Sequence, residues 1–182
     1  MKVKIFLPGE QFNDGIIFPT LVHGAKGVEI LIGTENVEGV DGLVTKNKNL
    51  TLGIKTGDCA PICFSDGETI GIAHVGWPGL CAGMIENILP FFNKAKLEVF
   101  VGPFIHSFQI KKDYCYEKIM PKFGEKFFIM DGERIIFEFK KAVFSLLPEN
   151  TIFDPRNTFE DLTLPSYRRD KTKERFVTTV SF

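Results

Sequence analysis

Tryptophan occurs once, histidine three times and cysteine four times among 182 residues. Apolar runs are short, so no segment reaches transmembrane length, and Met1 to Gly9 carries no apolar stretch of signal-peptide length. An excess of either charge is also missing: 22 Lys+Arg against 23 Asp+Glu leave a formal net of −1. That balance speaks against nucleic-acid and membrane-surface partners, which call for a basic excess or stripe. With no secretion signal, Cys59, Cys63, Cys81 and Cys115 read as reduced thiols and the chain as cytoplasmic. Phenylalanine, in contrast, is abundant: 19 Phe predict a thick aromatic core. One domain of this length buries roughly 70% of its unfolded surface and needs no disulfide.

Short β-rich runs dominate the first half. Val28–Ile32, Gly42–Thr45, Leu50–Lys55, Ala60–Phe64 and Thr69–Val75 carry apolar or β-branched residues bounded by Gly, Asn or Asp. Asp66-Gly67 is a tight-turn signal that makes a hairpin of the last two. Pro78 suits the first turn of a helix, and Leu80, Met84, Ile85, Ile88 and Leu89 follow at helical spacing until Pro90 ends or kinks it. Further on, Leu97–Val101 and Gln109–Tyr116 read as strands and Tyr116–Phe123 as a helix. Glu133–Leu147 reads as a long helix, although its aromatics also permit a strand at its start. Asn150–Pro165, rich in Asp, Pro, Thr and Asn, reads as a surface loop, and Arg175–Phe182 as a closing strand. No repeat, low-complexity tract or linker interrupts this pattern, which predicts an α+β (mixed α/β) fold in one domain, 1–182.

Three segments each offer one metal ligand. They are Leu21-Val22-His23-Gly24, Thr56-Gly57-Asp58-Cys59 and Ala73-His74-Val75-Gly76-Trp77. Two imidazoles and a thiolate are the donor set of an open catalytic zinc site, with water or substrate in the fourth position. A hairpin turning at Asp66-Gly67 brings its far ends together, so Cys59 and His74 can meet; His23 must arrive from elsewhere, and Gly24 permits close approach. The same residues suit a metal-free Cys–His nucleophile. Taken singly, each is more often the buried small hydrophobe or satisfied histidine of an ordinary core than a ligand.

Cys63 lies four residues along the strand from Cys59, roughly 13 Å, which is too far to share an ion. Cys81 falls in the first turn of the predicted helix, where the macrodipole lowers a thiol pKa, unless it is simply core packing. Trp77 can stack on a planar substrate or sit in the core. Tyr167-Arg168-Arg169-Asp170 offers a phosphate or carboxylate clamp, or a solvated loop. His106 has no evident partner.

At these residues the chain resembles the YfiH-type laccase-domain family, also called the purine nucleoside phosphorylase or multicopper polyphenol oxidase family. The matching motifs run in order: Val22-His23-Gly24, Thr56-Gly57-Asp58-Cys59-Ala60-Pro61, Ala73-His74-Val75-Gly76-Trp77, Val101-Gly102-Pro103, Cys115-Tyr116-Glu117 and Ser166-Tyr167-Arg168-Arg169-Asp170. The resemblance implies a layered sandwich with helices outside two mixed β-sheets, related to the catalytic domain of cytotoxic necrotizing factor. It implies that His23, Cys59 and His74 bind zinc, with copper as the other metal ascribed to the family. It also implies phosphorolysis of adenosine, inosine, guanosine and methylthioadenosine, and deamination of adenosine. Phenol oxidation and peptidoglycan-precursor editing are further roles ascribed to members.

A single His₂Cys ion falls short of the multicopper cluster that four-electron reduction of oxygen uses. Zinc-bound water suits attack at C6 of adenine, with Asp58 the nearest candidate for moving protons. Phosphorolysis instead needs a cationic pocket, which Arg168 and Arg169 can furnish. The chain departs from the family at Pro78, where Arg is usual, and at Phe104-Ile105-His106, where Ile-Gly usually follows Gly102-Pro103. Asp154-Pro155-Arg156-Asn157 replaces a cysteine-containing segment, and the region before His23 is much shorter than usual. These changes spare the ligands and fall on the phosphorylase chemistry.

The resulting expectation is a zinc enzyme acting on purine nucleosides and phosphate. Cys59, His74 and Asp58 are its catalytic residues, Trp77 and Arg168 its substrate contacts, and His23, Cys59 and His74 its metal ligands. The alternatives are a metal-free Cys–His hydrolase or amidase, a copper-dependent polyphenol oxidase, and a non-catalytic binding module of the same fold.

Overall fold

A computed structural model describes residues 1–182. In chain order its strands begin with β1 (Lys2–Phe6), β2 (Ile16–Ile17), β3 (Gly27–Glu29), β4 (Gly42–Thr45), β5 (Thr51–Thr56), β6 (Ala60–Ser65) and β7 (Ile70–Val75). Two short helices follow, α1 (Trp77–Ala82) and α2 (Met84–Ile88), then β8 (Glu98–Val101), β9 (Phe108–Ile110) and α3 (Tyr114–Phe123). The rest comprises β10 (Phe128–Asp131), β11 (Arg134–Phe137), α4 (Phe139–Phe144), β12 (Ile152–Phe153), α5 (Tyr167–Asp170) and β13 (Phe176–Ser181).

A six-stranded sheet in the order β12-β8-β6-β7-β4-β3 lies against a four-stranded sheet in the order β1-β13-β5-β2. Each mixes parallel and antiparallel neighbours, as the resemblance implies. A third sheet, β10-β11-β9, is antiparallel and adds to that expectation. β6 and β7 are buried along their whole length because both faces of their sheet are covered. Alternation sorts their side chains: Ala60, Ile62, Phe64, Ala73 and Val75 face Leu80, Met84, Ile85 and Ile88 of the helical layer. Cys63, Ile70 and Ile72 face the other way, onto Leu52, Ile54 and Val180 of the four-stranded sheet.

The hairpin forms as its turn signal predicts. Ser65 pairs with Ile70 beside the turn, and Pro61 and Ala60 pair with His74 and Val75 at the far end. The helix expected from Pro78 to Leu89 is instead two helices, because Gly83 takes φ 92° and breaks the ladder between α1 and α2. Leu89-Pro90-Phe91 ends the segment as a 3₁₀ turn.

Gln109–Tyr116 is extended only to Ile110, since Asp113 caps α3 by accepting from the Cys115 N–H. Glu133–Leu147 is not one long helix: Ile135 and Phe137 alternate inward along β11, and only Phe139–Phe144 is helical. Val28–Ile32 is a strand only through Glu29. The N–H groups of Leu31 and Ile32 turn instead to the Glu35 carboxylate, and backbone bonds led by that of Ile32 hold it down at about 2 against the opposing effect of desolvation. Asn150–Pro165 is irregular apart from β12, which joins the sheet edge parallel to β8. β1 escaped the sequence reading although Val3 and Ile5 alternate with exposed Lys2 and Lys4 along it. The phenylalanines meet as expected: Phe137 packs against Phe108, Phe123, Phe128 and Phe139.

Candidate metal centre

The three sequence-predicted ligands converge at the open end of the hairpin. Cys59 immediately precedes β6, His74 lies in β7, and His23 reaches them from the loop before β3. Their ligand atoms all lie within 4.8 Å of one another, and the His23 and His74 rings meet edge-on with centroids 4.7 Å apart. His23 holds φ at 59°, a left-handed conformation that costs a non-glycine residue energy and is maintained here by its surroundings.

Those surroundings are chiefly Asp41, a residue the sequence reading missed. Its buried carboxylate accepts from the backbone N–H of His23 at 2.9 Å, of Gly24 at 2.8 Å and of Val22 at 3.3 Å. The same carboxylate meets His74 Nδ1 at 2.8 Å, and its own carbonyl accepts from the His74 N–H at 2.7 Å. A carboxylate on Nδ1 orients the ring and leaves Nε2 for the Cys59 side, the arrangement that supports metal-binding histidines. The available signal was an acid placed between Val40 and the wholly buried β4.

Electrostatics follow from this packing. Burial works against a Cys59 thiolate, but hydrogen bonds with His23 and His74 outweigh it and bring the thiol down to about 7. Burial likewise disfavours charge on His74, yet Asp41 and Cys59 push it up to about 9. Asp41 falls below the usual carboxylate range, because its bonds to His74 and the loop N–H groups overcome burial.

Glycine makes the convergence possible. A Cβ on Gly76 would stand 2.9 Å from Cys59 Sγ and 3.3 Å from His23 Cδ2. Gly76→Ala is therefore expected to displace the thiol and lower retained metal per chain after dialysis against a weak chelator. Its stability cost should stay within about 1–3 kcal/mol, the range for overpacking.

A cavity of about 440 Å³ opens over the triad, and Trp77, Pro78, Asp58 and Arg168 all line it. Three cations that the sequence reading did not single out, Lys55, Lys171 and Arg175, line it as well. The Arg168 guanidinium lies 3.9 Å over the Phe108 ring and donates to the Gln109 carbonyl at 3.3 Å. Burial of this group lowers its pKa from the ordinary arginine value.

Asp58 is fully engaged. One oxygen accepts from Thr158 Oγ1 at 2.9 Å and Ser166 Oγ at 2.7 Å, and the other from the Arg168 N–H at 2.8 Å. Arg169 is turned away from the cavity: its guanidinium donates to the carbonyls of Thr158, Phe159, Asp161 and Leu164 and pairs with Asp170. Its donors are consumed in stapling that loop, so of the two arginines only Arg168 lines the cavity.

Cys81 is not activated, since burial raises its thiol to about 11 while Lys122 occupies the neighbouring carbonyls. Cys63 is pushed up further by complete burial between the sheets. A larger open concavity of about 1100 Å³, between Lys111 and Gly132, contains none of the three ligands.

The Multi-copper polyphenol oxidoreductase laccase family matches residues 7–182. The chain belongs to this family. A relative from Aquifex aeolicus, named purine nucleoside phosphorylase, is 32% identical over 98% of this chain and 83% of its own length. Purine nucleoside phosphorylase YfiH of Escherichia coli is 25% identical over 87% of this chain and 70% of its own. The crystal structure of the Bacillus licheniformis hypothetical protein YfiH has the same fold, with a TM-score of 0.80 and 23% identity over 92% of this chain and 74% of that one. YlmD of Geobacillus stearothermophilus is similar in fold, with a TM-score of 0.78 at 21% identity over 92% of this chain and 73% of that one. Within the family frame, no helix here is long and apolar enough to cross a membrane.

Proposed function

We propose that this protein is a zinc-dependent purine nucleoside phosphorylase whose ion is held by His23, Cys59 and His74. The observation that carries the reading is one cavity joining a His₂Cys donor set to Lys55, Arg168, Lys171 and Arg175. The donors fit such an ion: a thiol at about 7 and an imidazole oriented from behind by Asp41 are the soft and borderline groups zinc prefers. When bound, zinc supplies Lewis-acid polarisation of a substrate oxygen.

The chain's own residues supply the rest. The four cations offer charge-assisted hydrogen bonds to inorganic phosphate beside the triad and compensate for Pro78, where the family usually has Arg. A phosphate oxygen then forms the bond to ribose C1′ as the bond to the purine nitrogen breaks; the electron pair stays on the purine, which takes up the proton that hydrogen phosphate gives up on becoming ribose 1-phosphate. Trp77 lines the cavity with its ring edge-on to Tyr114, 6.0 Å between centroids, and gives the nucleoside an apolar wall.

Asp58 acts by position, since its bonds to Ser166 and Arg168 tie the start of α5, and its bond to Thr158 ties the preceding segment, to the turn bearing Cys59. An acid so engaged is a poor proton shuttle, which favours phosphorolysis over adenosine deamination. The names of the Aquifex aeolicus and Escherichia coli relatives support the same reading.

The test is product formation from inosine, guanosine and adenosine with and without phosphate. Free base and ribose 1-phosphate should form only with phosphate present, and metal analysis should return zinc rather than copper. Arg168→Ala should raise the KM for phosphate by about ten- to a hundredfold, the value of a hydrogen bond to a charged group. Base release that is independent of phosphate, or none at all, overturns the reading.

A further inference from the structure

A second cavity, of about 490 Å³, adjoins the metal cavity, and Arg168 and Lys171 line both. Its other walls include Phe108, Arg134, Asn157, Phe159 and Glu160. This volume suits a small planar ligand. Phe159 remains 46% exposed although it lines a cavity, so an apolar face there awaits a partner. The two cavities are also tied through the backbone: Ile105 N–H donates to the Asp58 carbonyl at 3.0 Å, and Thr158, next to Asn157, holds the Asp58 carboxylate.

Asn157 is the informative wall. It is only 8% exposed, and its Oδ1 accepts from the backbone N–H of His106 at 3.3 Å and of Phe159 at 3.2 Å. Those two bonds fix the amide orientation, because only the oxygen can accept. The Nδ2 group, which no protein atom satisfies, is then left as a donor for the cavity. Recognition of adenine by an asparagine uses both amide atoms, one accepting from N6 and one donating to N7. Here the accepting atom is already spent. The remaining donor, together with the Arg134 guanidinium, suits two adjacent acceptors, and a 6-oxopurine presents these as O6 and N7. The same base carries N1–H, for which Glu160 is the carboxylate on the wall. A 6-aminopurine offers an amino group where O6 would be and a lone pair where N1–H would be.

We infer that the cavity beyond Arg168 seats the base of the substrate, and that Asn157 and Glu160 make it select 6-oxopurines over 6-aminopurines. This rests on the nucleoside reading of the metal cavity and specifies which nucleosides that site takes.

The test is equilibrium binding without phosphate, so that it stands apart from turnover. Hypoxanthine and inosine are compared with adenine and adenosine, by calorimetry on the full-length protein. The expected result is a preference for the 6-oxo compounds of about ten- to a hundredfold. Asn157→Asp keeps the acceptor used by the His106 and Phe159 N–H groups and turns the free donor into an acceptor. It should therefore weaken inosine at least tenfold and erase or invert the preference. Glu160→Gln, on an exposed side chain, should weaken hypoxanthine without unfolding the protein. Equal binding of the two base classes, binding of neither, or a preference that survives in both variants overturns the inference. A preference found in a protein that turns over no nucleoside would sink the phosphorylase reading and leave this one standing.

Discussion

Cys59→Ala is expected to leave a folded protein that has lost its metal and at least about a hundredfold of its turnover. Outer partners of metal-binding histidines already account for about 10–100-fold in affinity or activity, and removing a ligand itself should exceed that range. The fold should survive because Cys59 precedes β6 rather than packing within it, and because the Pro61–His74 and Ala60–Val75 pairings do not involve its side chain. The His74–Asp41 contact also remains in place. Two measurements separate these effects: metal per chain after gel filtration, and melting temperature with and without chelator. The wild-type protein should melt lower once chelated, whereas the variant should melt alike under both conditions. Stoichiometric zinc in the variant would remove Cys59 from the ligand set.

Asp41→Ala should be the most destabilising single change at the site, by about 3–5 kcal/mol, because it strips the acceptor from four buried or half-buried donors at once, each worth about 1–3 kcal/mol when left unsatisfied. The carboxylate is fully buried and binds His74 and three consecutive backbone N–H groups, at Val22, His23 and Gly24. Without it the loop loses the restraint that holds His23 at φ 59°, and His74 Nδ1 loses its hydrogen-bond partner. For a chain of this size, 1 kcal/mol corresponds to roughly 2–4 °C, so the melting temperature should fall by about 10 °C.

Asp41→Asn tests orientation separately. It preserves shape, should cost much less stability, and should still weaken metal binding by about 10–100-fold, because an amide no longer fixes the proton on Nδ1. A melting temperature within a degree or two of wild type for Asp41→Ala would show that the loop is held by something else.

Much of the fold was legible because it depends on neighbours in sequence. The Asp66-Gly67 turn, the apolar runs of β4 to β7 and the proline opening α1 are each local signals, and each formed where expected. Errors fell where two local preferences compete. Gly83 divides a helix whose apolar spacing continues across it, and β11 uses the same aromatic residues that a helix could have buried on one face. The edge strand β12 is two residues long and carries no signal of its own; it exists because β8 offers a free edge.

The site divides in the same way. Sequence by itself determined the donor types, the glycines that let them approach, and the hairpin that returns His74 to Cys59. Tertiary structure alone decided that Asp41, 33 positions from His74, stands behind both histidines. It also decided that Asp58 anchors Arg168 from 110 positions away, that Arg169 faces a loop while Lys55, Lys171 and Arg175 line the cavity, and that Asn157 lines the cavity beyond Arg168 with its amide oxygen already engaged. The physical reason is range. Turn chemistry and side-chain alternation act over a few residues, whereas a buried carboxylate or a guanidinium takes its partners from whatever packing brings within about 3 Å.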